Sequence, residues 1–372
     1  MSVKVAFIVG QLSLGGAEQQ LYYLLSGLDR SRFIPLVITL GPACHEYWKG
    51  PIEELRIPVL HVSRRCGRAF RILHIAGILR AKSVHMIHSW DLHTNPYSAL
   101  AARISSVRVR IGSMRLNYDG IPGGKLMRWV GYRGLDVLIT NSATAARQVK
   151  ELQLTTANVR LVCNGVPSPE PVSEIDRLRL KLKLGFSDSD LLVGSIGRMD
   201  ANKNHAMLLR CFALLSRQWE RLRLVIIGDG PLKPQLIAMA QRLDIASRVS
   251  FPGAIPRAAR YLPALDVCCL TSYTEGMPNL IMEAAAAGLP VVSTRCGDTA
   301  ELIMDGISGY LVSPDDDVSM ASHLSSLLSS AEQRRCMGKV AREKMRRDFS
   351  IQSMLSQMNR VYEETLAAKG LN

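Results

Sequence analysis

Short apolar runs of strand length alternate with segments whose apolar positions recur at helical spacing. In the first half the strand-like runs are VKVAFIVG, FIPLVITLG, VHMIHSW, VRIGSM, VLITNS and VRLVCNG, with segments such as AEQQLYYLLSGL and ATAARQVKELQL between them. After a polar stretch the pattern restarts with DLLVGSIGR, RLRLVIIGDG, RVSFPG, DVCCLTS, LPVVSTR and GYLVS. Strands that are apolar along their whole length, separated by helices, predict parallel sheets covered on both faces. Two such blocks predict an α/β protein of two doubly wound, Rossmann-like domains. The break between them is NGVPSPEPVSEIDR, residues 164–177, with three prolines and few apolar residues. The expected division is 1–170 and 171–350. A final helix over 351–372 follows, with Leu355, Met358, Val361, Tyr362 and Leu366 on one stripe.

Length and composition fit two globular domains: 372 residues, 47% hydrophobic and 21% charged. The first apolar run begins almost at residue 1 and ends in a glycine turn, which reads as a buried strand rather than a signal peptide. No run approaches ~18 apolar residues, so no membrane span is expected. The eight cysteines show no CxxC spacing and the eight histidines no HExxH spacing, so the expectation is reduced thiols in a cytoplasmic protein.

Charge changes the picture more. The net charge is +14, and residues 1–165 carry 21 Lys and Arg against 9 Asp and Glu, the remainder 25 against 23. A basic first half suggests an anionic partner. In RRCGRAFRILHIAGILRAK (64–82), Arg64, Arg68 and Arg71 fall on one helical side and Ile72, Ile75 and Leu79 toward another; GGKLMRWVGYRG adds Trp129 and Tyr132 among cations. Such segments fit an anionic membrane surface, the inner face for a cytoplasmic protein, and equally an ordinary helix with solvated arginines. No nucleic-acid module is present, so nucleic acid is not an expected partner.

Candidate chemistry lies in loops that follow strands, where open α/β sheets bind ligands. GQLSLGGAEQQ brings Gly15 and Gly16 to a helix start, which exposes amides to an anion or merely makes a tight turn. It is not GxGxxG, which weakens a dehydrogenase reading. GSIGRMDANKNH places Arg198 and Lys203 after a strand, a natural clamp for a diphosphate; His205 is expected at the surface of a helix N-terminus. VIIGDGP, with Gly228, either lines a ligand or is a plain turn. TSYTEGMPNLIMEAAAAGLPVVS puts Glu275 on a Gly-Pro loop and Glu283 in an apolar helix starting near Asn279. Carboxylates so placed are costly unless paired, and both could accept hydroxyls of a ribose or a sugar.

At these residues the chain resembles a known family: the retaining, nucleotide-sugar-dependent glycosyltransferases of the GT-B type, family four, or group 1, with its E-x7-E motif. GGAEQQ, NSATAARQV, VCNGV, SIGRMDANKNH, IIGDGP and EGMPNLIMEAAAAGLPVVSTRCGDTAELI stand in that family's order over nearly the whole chain, and Glu275-x7-Glu283 is the specific part. The resemblance implies two domains facing a cleft, the acceptor on the first, the donor on the second, and a last helix crossing back to the first. It implies that Glu283 holds the ribose, that Glu275 contacts the donor sugar, and that Arg198 and Lys203 neutralise the diphosphate. Gly15, Gly16, Gly228, Gly276 and the amides of Asn279 and Leu280 would complete the phosphate cradle. IHSWDLHTNPYS resembles the family's histidine loop; His93 is preferred over His88 as the catalytic contact, and Arg115 is a further candidate in the first domain.

The resemblance implies retention by front-face attack, since no carboxylate nucleophile is evident; Asp91 is possible but unsupported. No cofactor is expected. An Asp-x-Asp metal site is read as absent, with Arg198 and Lys203 doing the work of a metal, so activity should survive EDTA. The donor is taken as a UDP-sugar and the acceptor as a saccharide or lipid-linked saccharide. An epimerase of the same architecture and a non-catalytic sugar-nucleotide-binding subunit are the alternatives.

Overall fold

The first strand, β1 (Val3–Val9), shows why its sheet is apolar throughout. Val5, Phe7 and Val9 enter one core and Ala6 and Ile8 another on the opposite face. A strand buried on both faces has no polar side to show, as a parallel sheet between two helical layers requires. The computed structural model describes residues 2–41, 46–63, 67–115 and 124–371, the side chains of 124–128 excepted. Two units form: 1–165 with 351–372, and 166–350.

In the first unit β1 is followed by α1 (Gly16–Gly27), β2 (Phe33–Thr39), α2 (Lys49–Glu54), β3 (Val59–His61), α3 (Arg68–Ala81), β4 (Met86–Ser89), α4 (Asn95–Ile104), β5 (Val109–Met114), α5 (Gly124–Arg133), β6 (Val137–Thr140), α6 (Ala143–Glu151) and β7 (Asn158–Leu161). The seven strands are parallel in the order β3-β2-β1-β4-β5-β6-β7. The strand β3 has no counterpart among the predicted runs. It is a three-residue edge strand, half-buried along its length, too short to register as a period.

The second unit contains α7 (Glu174–Lys183), β8 (Leu191–Ile196), α8 (His205–Ser216), β9 (Leu222–Ile227), α9 (Lys233–Arg242), β10 (Val249–Gly253), β11 (Val267–Leu270), α10 (Asn279–Ala286), β12 (Val291–Thr294), α11 (Thr299–Leu302), β13 (Gly309–Val312), α12 (Asp317–Ser329) and α13 (Ala331–Asp348). Its six strands are parallel in the order β10-β9-β8-β11-β12-β13. The α/β class with two doubly wound sheets is therefore as expected. The helix α7 begins inside the segment read as linker, because Ser173 caps it by accepting from the Asp176 amide at 3.2 Å.

The chain ends with α14 (Ile351–Ala368), which belongs to the first unit. Met354, Met358, Val361, Tyr362 and Leu366 are buried in the core that also holds α1, while Leu355 packs at its edge. At about 1.5–3 kcal/mol for each such side chain, this stripe makes the helix a structural part of that unit.

The basic segments fold less uniformly than expected. Arg64 and Cys66, like Cys44, lie outside the described residues. Arg68 is exposed, but Arg71 turns onto the Tyr97 ring, 5.2 Å away, because α4 packs beside α3. Trp129 is exposed, whereas Tyr132 is 1% exposed in the core formed with α4 and α6, which corrects its reading as an interfacial residue. Among the described residues no helix is long and apolar enough to cross a membrane, and six cysteines are free thiols.

Candidate active site

In the second sheet the strand order reverses between β8 and β11, and crevices for ligands form at such points beyond the carboxyl ends of the strands. Two of the motif loops are there: residues 197–204 lead from β8 to α8, and 271–278 lead from β11 to α10. Asn202 stitches them together. Its Nδ2 donates to the Thr274 carbonyl (2.9 Å), and its Oδ1 accepts from the Thr274 amide (3.0 Å) and hydroxyl (2.8 Å). The Thr271 hydroxyl donates to the Lys203 carbonyl at 2.8 Å.

This stitching sets Lys203 against Glu275, Nζ to Oε1 at 2.5 Å, and the same carboxylate oxygen accepts from the Ser272 hydroxyl at 2.7 Å. The loop carboxylate thus has a partner, and it is the very cation expected to meet a diphosphate. Arg198 differs. Its side chain is 72% exposed, with a 3.6 Å contact to Asp200 as its nearest ion pair among the described residues. Glu283 is half-buried one turn into α10. Burial, and after it the charge of Glu283, push up the thiol of Cys268 inside β11. Pro278 precedes α10 and its own side chain makes no capping bond to the start of the helix, where Asn279 and Leu280 stand.

Two glycine turns hold these loops from behind. A Cβ on Gly228 would collide with the Gly197 carbonyl, and one on Gly230 with Met199. The Met199 amide bonds to the Asp229 carbonyl at 2.9 Å. Gly228 therefore buttresses the Arg198 loop through backbone contact that only glycine allows. Gly297 does the same for Glu275 and Gly276, and the Asp298 amide bonds to the Gly276 carbonyl at 3.0 Å. Asn202 and Gly297 escaped the reading of the sequence; the glycine of TRCGD was its one visible signal.

Two expectations need correction. His205 is not on the surface: it is 3% exposed at the start of α8, and burial, then the charge of Lys203, lowers its pKa to about 4. Its Nδ1 has no partner among the described residues. The chain also carries two Asp-x-Asp triplets, 188–190 and 315–317. Asp190 precedes β8, at the opposite end of the sheet from the motif loops, and accepts from the Ser187 amide and hydroxyl at 2.8 and 2.9 Å. Asp315 accepts from Asn204 and Tyr273, both at 3.0 Å, and Asp317 pairs with Arg210. Among the described residues no cluster of three acidic, histidine or cysteine side chains could hold a metal ion.

In the first sheet the order reverses between β1 and β4. Asp91, in the loop after β4, accepts from the Gly10 amide (3.0 Å) and from the His93 and Thr94 amides (2.8 and 2.9 Å). It is a clasp between two loops, a structural task that leaves little room for a nucleophile. His93 is exposed on that loop, whereas His88 is fully buried. The His88 ring joins three elements, Nδ1 to the Tyr362 hydroxyl of α14 at 2.7 Å and Nε2 to the Ser113 hydroxyl of β5 at 2.8 Å. Burial, with Arg115 adding to it, holds its pKa well below 6.5, so it stays neutral. Gly15 caps α1, followed by Gly16, but Glu18 folds back over Gly15 and bonds to Ser13 at 3.3 Å. Burial raises the pKa of that carboxyl group. The chain's own acid thus covers the helix start read as an anion seat.

The profile described as Glycosyltransferase Family 4 matches residues 14–168, and that described as Glycosyl transferases group 1 matches 190–330. The Vi polysaccharide biosynthesis protein VipC/TviE of Salmonella typhi is 25% identical over 85% of this chain and 63% of its own. The N-acetylgalactosamine-N,N'-diacetylbacillosaminyl-diphospho-undecaprenol 4-alpha-N-acetylgalactosaminyltransferase of Campylobacter jejuni is 24% identical over 89% of this chain and 92% of its own. The chain spans about three fifths of the length of the Salmonella protein and of a similar N-acetyl-alpha-D-glucosaminyl L-malate synthase from Bacillus anthracis. In fold it is similar to Anabaena Alr3699/HepE solved in complex with UDP-glucose (TM-score 0.84, 20% identity, 97% of this chain and 99% of that one). The sucrose-phosphate synthase of Thermosynechococcus elongatus is also similar (TM-score 0.77, 18% identity, 98% and 100%).

Proposed function

The chain belongs to the group 1, family 4 glycosyltransferases, and we propose that it moves a sugar from a nucleotide diphosphate, taken as UDP, to a saccharide or lipid-linked saccharide with retention of configuration. The observation that carries this reading is the junction of Lys203 and Glu275 on the loop that leads into α10, with Arg198 exposed on the adjoining loop. A pyrophosphate needs cations and backbone amides; a ribose and a sugar need carboxylates that accept hydroxyls. Both kinds of group stand at one switch point. The UDP-glucose in the similar Anabaena structure and the undecaprenol-linked acceptor named for the Campylobacter relative support the two substrate classes.

In the reaction the bond from the anomeric carbon to the β-phosphate oxygen breaks, and the acceptor oxygen bonds to the same face of that carbon. The acceptor proton passes to the departing phosphate. Arg198 and Lys203 stabilise the charge that gathers there, which is electrostatic preorganisation rather than covalent catalysis. Lys203 exchanges Glu275 for the diphosphate as the donor binds, and Glu275 then accepts from the donor sugar. Glu283 holds the ribose.

Thermal unfolding with a panel of sugar nucleotides tests the donor, because a ligand that binds the folded state raises the midpoint. A UDP-sugar should raise it, and turnover should persist in EDTA; strict dependence on Mg²⁺ or Mn²⁺ refutes metal independence. Isomer formation from the donor alone would favour the epimerase reading. For the acceptor we add an anionic membrane surface: Phe70 and Leu73 are 56% and 59% exposed on α3 beside exposed Arg68, His74 and Arg80. Flotation with anionic liposomes at low salt should carry the protein upward, and failure to float removes the idea.

A further inference from the structure

Arg115 directly follows β5 in the first unit and has no carboxylate within ion-pair reach among the described residues. Its guanidinium lies 3.6 Å from the centre of the Trp90 ring. That ring is fixed, since its Nε1 donates to the Ala17 carbonyl at 2.7 Å and it packs edge-wise with the rings of His88 and Phe7. Asp91, whose charge acts on Arg115, already accepts from three backbone amides. Other shielded cations of the chain do have acids: Lys181 meets Asp266, and Arg110 meets Asp136. Burial pulls the Arg115 pKa down to about 9, which leaves it charged at neutral pH. A half-buried cation with an aromatic plate but no acid within ion-pair reach among the described residues is an incomplete arrangement.

Two more strand ends converge on it. Asn141 follows β6 and Asn164 lies just beyond β7; both are buried. The Asn164 Oδ1 accepts from Arg115 Nη1 at 3.2 Å and from Asn141 Nδ2 at 3.3 Å. That leaves Arg115 Nε and Asn141 Oδ1 shielded from solvent and without partners among the described residues. Gln20 holds this corner in place, exchanging two hydrogen bonds of 2.9 Å with the Gly165 backbone. The cluster therefore offers a forked cation next to an amide oxygen that lacks a donor. An oxyanion answers the first and a hydroxyl the second.

We propose that Arg115, Asn141 and Asn164 form a binding site for an anionic saccharide, one that carries a phosphate or carboxylate beside a free hydroxyl, and that this is the acceptor's recognition group. The assignment to the acceptor rests on the reading that the first unit takes the acceptor; the site itself stands on geometry alone. Arg115 sets specificity here.

The test uses the full chain labelled with 5-fluorotryptophan, whose four tryptophans give four fluorine resonances, Trp90 being assigned by Trp90→Phe. Glucose 1-phosphate, glucuronate and glucose are titrated separately. The Trp90 resonance should move saturably with one or both anions and not with glucose; whichever anion acts names the oxyanion. Arg115→Gln should weaken the response at least tenfold, and Arg115→Lys, which keeps the charge but not the fork, should retain part of it. A response to glucose equal to that of the anions, an unchanged response in Arg115→Gln, or none in the wild type overturns the proposal. UDP stabilisation is measured on the same samples. If UDP fails to stabilise either protein while the anion response depends on Arg115, the donor reading falls and this site stands; the reverse pattern removes only this site.

Discussion

Alanine at Gly228 puts a methyl group where the Gly197 carbonyl oxygen sits. The added Cβ would fall more than 1 Å inside the 3.0 Å that real Cβ atoms keep, and the obstacle is backbone, which cannot rotate aside. Gly228 also has φ +151°, which disfavours any side chain. The facing loop is pinned by bonds from Gly197 to Ile227 (3.0 Å), Met199 to Asp229 (2.9 Å) and Leu232 to Met199 (3.0 Å), so relief comes by moving it as a body. Overpacking of one methyl costs ~1–3 kcal/mol and the backbone strain ~1–3 kcal/mol; together a loss of ~2–6 kcal/mol is expected. The same shift of about 1 Å carries the root of Arg198 with it, and misplacement on that scale costs ~10²-fold in rate. Thermal unfolding and initial transfer rates measure the two effects. Gly77→Ala is the control: a Cβ there meets nothing within 4 Å in α3, and it should be neutral or stabilising by ~0.5–1 kcal/mol. A Gly228→Ala protein with wild-type midpoint and rate would refute the buttress.

Other expectations follow the same geometry. Lys203→Met takes the cation from the half-buried Glu275 carboxylate and should cost ~2–3 kcal/mol, part of which Lys203→Met with Glu275→Gln recovers in a double-mutant cycle on unfolding; a cycle with no coupling energy refutes the pair. Tyr362→Phe leaves the buried His88 Nδ1 without its 2.7 Å partner and should lower stability by ~1–3 kcal/mol by denaturant titration. Acid should weaken the fold early. His205 binds a proton near pH 6.5 when unfolded but only near 4 when folded, and His88 is shifted the same way. Their stabilisation is complete above pH 6.5 and declines as pH falls toward 4, by up to ~3 kcal/mol for a shift like that of His205. His205→Gln should flatten the midpoint-against-pH curve in that window, and an unchanged slope would contradict the assignment.

The parts legible in the sequence are those written in local pattern. Unbroken apolar runs such as VLITNS and DVCCLTS declare buried parallel strands, and the glycines and cations after them mark the loops at the switch point. What stayed hidden depends on neighbours far along the chain. Nothing local says that Lys203 meets Glu275, 72 residues away, or that Tyr362 reaches His88 across 274 residues. The glycine turns at Gly228 and Gly297 look like ordinary turns until the backbone they press on is known. His205 looks polar and loop-borne, yet α8 packs into the second core and takes it along. Arg115 stood out as a candidate, but its surroundings did not: its aromatic plate and its two asparagines come from three other strand ends.

The central question is whether the cations at the carboxyl end of β8 seat a nucleotide diphosphate. Calorimetric titration of UDP into the wild type and into the Arg198→Met, Lys203→Met double variant asks this directly. The predicted result is saturable binding to the wild type and an affinity at least ~100-fold weaker in the variant, on the scale of two lost charge-assisted contacts. Equal affinity in both proteins, with the variant folded, would contradict it.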